Sequence, residues 1–113
     1  MARADDTKVH LGSGNIFADL GLPDAEDQLI KSNIVIELRR LIRERKLNQT
    51  AAAKKIGISQ PDLSHILRGR FRGYSVERLM RMLTAFDQDV EIRSKPRSAR
   101  NRPGRITFTP AAA

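Results

Sequence analysis

Two glutamines mark the stretch of this chain with the most chemical content. Gln49 and Gln60 each stand at the start of a short helical pattern, with Gly57 between them. A side chain at a helix N-terminus leans back beyond the helix end, and that end of a helix lying in a major groove meets the base edges. Either glutamine alone reads as an ordinary surface residue, whereas their joint placement favours contact with DNA. Pro61, Ser64, His65 and Arg68 share the polar face of the second helix, and Arg70 and Arg72 follow it. Arginines there suit phosphate oxygens, which take most protein–DNA hydrogen bonds. His65 has no metal-binding company, since His10 is the only other histidine and is remote in sequence. The chain has no cysteine, no HExxH, no phosphate-binding glycine loop and no GxSxG, so neither an enzyme nor a cofactor is expected.

The elements that hold these residues carry their own signals. Asn48 is a good N-cap for a helix at Gln49–Ile56. Gly57 can take the left-handed conformation that ends it, and Ile58 plugs the turn. Ser59 is the next N-cap, with Asp62 three residues on, close to a capping box. Pro61 removes a backbone donor in a turn where it has no intrahelical partner. A helix over Gln60–Arg68 follows, with Gly69 just past its end. Leu63, Ile66 and Leu67 share its apolar face, and Ala53 is small where the two helices cross. Two short helices joined by a glycine turn make a helix-turn-helix.

Pro23 and the acidic residues Asp24, Glu26 and Asp27 suit the start of a helix. Ile34, Val35, Leu38, Leu41 and Ile42 continue it at helical spacing, giving one long helix or two abutting helices over 24–46. Ser75 caps a further helix at 76–86, with Val76, Leu79, Met80, Leu83 and Phe86 on one side for core packing or a dimer face. Phe71 and Tyr74 read as parts of a packed loop. Beyond Asp87 the period changes to two. Val90 and Ile92, then Ile106 and Phe108, predict two short half-buried strands. An isolated two-stranded ribbon is marginal, so pairing between the strands or across a dimer is expected. The expected organisation is an arm over residues 1–22, a DNA-binding domain over 23–88 and a β segment with a basic loop over 89–113.

The chain has 113 residues and a net charge of +8, which favours a polyanionic partner over a neutral one. Its length gives one modest core, and four Phe, one Tyr and no Trp make that core aliphatic. No apolar run suggests a signal peptide or membrane span, and the lack of cysteine agrees with a cytoplasmic location. In the arm, Ile16, Phe17 and Leu20 form an apolar cluster that needs a cover, from the chain itself or from a partner. Arg93, Lys95, Arg97, Arg100, Arg102 and Arg105 form a run without an acid. It is either a solvated tail, a source of non-specific DNA affinity, or a surface for an acidic partner.

The stretch Leu47–Ser64, LNQTAAAKKIGISQPDLS, resembles the Xre/Cro-type helix-turn-helix. Three further segments, Gly14–Gly21, Leu67–Ser75 and Leu79–Ile92, resemble HigA-like antitoxins of type II toxin–antitoxin modules. The resemblance covers roughly residues 10–95. It implies a mainly α, lambda-repressor-like helix-turn-helix bundle, here with a C-terminal β-strand or hairpin. It also implies a homodimer that binds double-stranded DNA and represses its own operon, with a cognate toxin as a second partner. It assigns Gln49 to phosphate and to bracing Gln60, and Gln60 to a base, where an amide suits adenine N6 and N7. Thr50, Ser59, Ser64, His65 and Arg68 fall at DNA-facing positions, and Pro61 offers only apolar contact. Stand-alone regulators share the motif, and a helical module that binds only protein is the rival from another class.

Overall fold

The computed structural model describes residues 23–97 and 99–110. Among the described residues, four helices make up the fold: α1 (Asp24–Glu44), α2 (Gln49–Ile56), α3 (Gln60–Leu67) and α4 (Val76–Thr84). The arm over 1–22, with Ile16, Phe17 and Leu20, lies outside the described residues.

Helix α1 is the backbone of the molecule, about 31 Å long at 1.5 Å per residue. Its acidic first turn faces the positive end of its dipole. One stripe, Ile30, Ile34, Val35, Leu38, Leu41 and Ile42, is buried. The helix is single and stops two residues short of the expected end. Lys46 turns left-handed (φ +56°), and the Leu47 N–H reaches back to the Ile42 carbonyl at 3.2 Å.

Helix α2 begins at Asn48, whose side chain accepts the Ala51 N–H at 2.8 Å. It buries only Ala52 and Ala53, which lets it cross α3 closely. Gly57 closes it at φ +94°, and nothing lies within 4 Å of where its Cβ would stand. Only the dihedral therefore demands glycine here. Ser59 caps α3 by accepting the Asp62 N–H at 3.1 Å. The buried side chains of α3 are Leu63, Ile66 and Leu67. Arg68 and then Gly69 (φ +97°) end it, as its sequence predicts to within one residue.

Ser75 caps α4 through the Arg78 N–H at 3.0 Å. The helix lies along α1 and buries Val76, Leu79, Met82 and Leu83, while Phe86 behind it is fully enclosed. It ends at Thr84 instead of residue 86, and Asp87 takes a left-handed turn (φ +62°). Phe71 and Tyr74 pack against the core as expected.

The C-terminal β expectation is corrected: residues 89–97 and 99–110 contain no strand. Alternation predicts which side chains face inward, and Val90 and Phe108 do rest on the core. A strand also needs a partner for its backbone. Here the Ile106 N–H is taken by the Glu26 carboxylate at 2.6 Å, and Ile92 is 71% exposed. Among the described residues the two segments form no ladder. Among the described residues, no helix is long and apolar enough to cross a membrane.

Candidate nucleic-acid interface

Two of the sequence-selected residues, Gln49 and Gln60, meet at the exposed N-terminus of α3, and the others follow along the helix and the loop after it. The Gln60 Nε2 donates to Gln49 Oε1 at 2.8 Å, across eleven residues and the glycine turn. This bond consumes one of the two Gln60 amide protons and leaves its carbonyl oxygen free. On Gln49 it occupies the carbonyl and leaves both amide protons. The glutamines therefore present different faces: Gln60 offers a donor and an unused carbonyl side by side, and Gln49 offers both of its amide protons.

Thr50, Ser59 and Pro61 are exposed next to this pair in sequence, His65 and Arg68 are exposed further along α3 and at its C-cap, and Ser64 is half-buried. The Ser59 oxygen is engaged as the α3 cap, so the residue has a structural duty whatever else it touches. Arg68 and Arg70 are exposed and make no ion pair among the described residues. The loop that carries Arg70 is set by the Arg70 N–H, which donates to the His65 carbonyl at 2.9 Å.

Arg72 differs from its neighbours. Its guanidinium holds the Asp24 carboxylate through two contacts, at 2.8 and 3.3 Å. Hydrogen bonding and charge from Arg72 keep the Asp24 carboxyl below its ordinary range, and the same contacts raise the Arg72 guanidinium. The backbone beneath is fixed separately. Lys31 is buried on α1, donates to the Arg72 carbonyl at 3.1 Å and pairs with Asp27 at 3.1 Å. Two links thus tie the loop after α3 to the first turns of α1. Sequence reasoning misses both. The acidic first turn is fully accounted for by the helix dipole, and nothing in one dimension brings residue 72 to residue 24.

A third long-range link lies at the other end of α1. The Arg45 Nη2 donates to the Phe86 carbonyl at 2.7 Å and to Asp87 Oδ2 at 3.0 Å, with its guanidinium 5.9 Å from the Phe86 ring centre. The two ends of α1 are thus tied to the loop after α3 and to the segment after α4. Among the described residues, no group of three His, Asp or Glu side chains could hold a metal ion.

Comparison with known proteins agrees with this architecture. A family described as "Helix-turn-helix domain" matches residues 16–95. A solved structure titled "Putative XRE Family Transcriptional Regulator" superimposes with a TM-score of 0.73 at 39% sequence identity, covering 79% of this chain and 100% of that one. No curated protein matches the chain.

Proposed function

The chain belongs to the XRE-type helix-turn-helix family of transcriptional regulators, and from that premise we propose that it is a sequence-specific repressor that reads DNA with α3. The observation that carries this reading is the Gln49–Gln60 hydrogen bond at the exposed start of α3. The donor and acceptor left on Gln60 match the N7 acceptor and N6 donor of adenine in the major groove. The donors left on Gln49 suit a phosphate oxygen. Arg68 and Arg70 add phosphate contacts beyond the helix, Thr50, Ser64 and His65 line the same surface, and Pro61 meets an apolar group such as a thymine methyl. A homodimer would set two copies of α3 on half-sites about one helical turn apart.

The narrower proposal is that the protein is the antitoxin of a type II toxin–antitoxin module and represses its own operon. The sequence resemblance at 14–21, 67–75 and 79–92 supports it, and Ile16, Phe17 and Leu20 are the proposed toxin-facing residues.

A mobility-shift assay with the DNA upstream of its own coding sequence tests the first reading. A shift that survives scrambled competitor is expected, and no shift at all would leave a protein-interaction module as the better account. Co-purification with the neighbouring gene product, together with rescue of growth, tests the second. No complex and no rescue would leave a stand-alone regulator.

A further inference from the structure

The segment after α4 is anchored at both ends of α1. Near its start, Asp87 is held by Arg45, one residue beyond the C-terminus of α1. Near its end, the Ile106 N–H is held by Glu26 in the first turn of α1. Residues 26 and 45 are about 28 Å apart along a helix. The chain from 87 to 106 has a contour of about 60 Å at 3.3 Å per residue. It has roughly twice the length it needs, and Val90 and Phe108 rest on the core at its flanks.

Six basic residues and no acid lie between residues 93 and 105. Lys95, Arg97, Arg100 and Arg105 are exposed and make no ion pair among the described residues. Free cations on an anchored strap differ from those on a free tail: the two anchors limit where they can be. The far anchor sits on the same turn of α1 that holds Arg72 of the loop after α3. Arg105 and Arg72 therefore flank one helix, whose full width is about 10–12 Å.

We propose that this basic strap is a second DNA-binding surface, taking the phosphate backbone beside the site read by α3. The inference rests on the reading of α3 as the DNA-reading helix. Its support is charge complementarity and the strap's attachment next to the loop that follows that helix. Phosphate contacts fix position and carry no sequence information, so the strap supplies affinity and length of footprint, and α3 supplies the choice of sequence.

The test uses the full chain and a variant combining Lys95→Gln, Arg97→Gln and Arg100→Gln. Binding to two labelled duplexes is followed by anisotropy across a salt titration: the upstream DNA and a scrambled duplex of equal composition. The variant is expected to bind both duplexes more weakly by the same factor, leaving their ratio unchanged. The slope of log affinity against log salt should flatten by about two to three, near 0.9 per phosphate lost. A companion variant with Arg97→Lys and Arg100→Lys should keep the slope, and thermal melting should show all three proteins folded alike. An unchanged slope in the glutamine variant overturns the proposal, as does equal damage from the lysine variant. Lost binding to polyglutamate with retained duplex binding also overturns it, in favour of an acidic protein partner. A wild-type chain that binds both duplexes equally refutes base reading by α3 but not the strap. One that binds neither refutes both.

Discussion

The glutamine pair allows base reading and phosphate contact to be separated by substitution. Gln60→Ala removes the free donor and acceptor at the tip of α3. Loss of a bidentate base contact costs about 1–3 kcal/mol, a factor of roughly 5 to 150 in affinity for the preferred sequence. Affinity for scrambled DNA should barely change, because no phosphate contact is lost. Gln49→Glu acts differently. A carboxylate still accepts the Gln60 Nε2 proton, so the 2.8 Å brace survives. The two donors proposed for phosphate are lost, and a negative charge is added where a phosphate would lie. Binding should fall on all sequences together. Gln49→Ala removes the brace as well, and a double-mutant cycle with Gln60→Ala should give a coupling of about 0.5–1.5 kcal/mol, as for a neutral hydrogen bond. The assay is equilibrium binding to the upstream duplex and to its scrambled counterpart, with the ratio as the readout. If Gln60→Ala weakens both duplexes equally, Gln60 does not read a base. If Gln49→Glu collapses the ratio while sparing affinity for scrambled DNA, the division of labour between the two amides is refuted.

Two further outcomes follow from the core and the loop clamp. Phe86 is fully enclosed in the core, so Phe86→Ala should cost about 3–5 kcal/mol in chemical denaturation, as for other buried aromatics, and a loss below 1 kcal/mol would mean that the site collapses around the cavity. Asp24→Asn should release Arg72 and, if the freed guanidinium reaches a phosphate, steepen the salt dependence of DNA binding by about 0.9; a shallower slope would mean that Asp24 presents Arg72 to DNA. Because the folded Asp24 pKa is lowered, the pair stabilises the fold above the ordinary carboxylate value and loses that effect as pH falls through the folded value. The stability difference between wild type and Asp24→Asn, measured by denaturation at successive pH values, should therefore shrink on acidification.

The motif was legible because it is local. Asn48, Ser59 and Ser75 each cap the helix that follows, and Gly57 and Gly69 each take the positive φ that ends one. All five signals act within a few residues. The apolar stripes of α1, α3 and α4 obey one period and mark the core without knowledge of the fold. What stayed hidden depends on distance. Asp24–Arg72, Lys31–Arg72 and Arg45–Phe86 join residues more than forty positions apart, and their charges were already explained by dipoles or by solvent. The C-terminal alternation at Val90–Ile92 and Ile106–Phe108 suggests strands because period two indicates which side chains face inward. It does not reveal what the backbone will bond to, and a single carboxylate, Glu26, supplied a partner outside any sheet.

Lys31 has a consequence for the order of folding. The α2–α3 hairpin is closed by contacts of short sequence separation, its caps, its glycine turn and the glutamine pair, and such contacts form early because little loop entropy must be lost first. The buried ammonium of Lys31 can bond the Arg72 carbonyl only after the loop that follows α3 has docked on α1. The reading head of the molecule can thus take shape before its orientation is fixed. A substitution at Lys31 would leave the hairpin able to form while loosening the angle at which it is presented, and its effect would be concentrated in the unfolding rate and not in the folding rate.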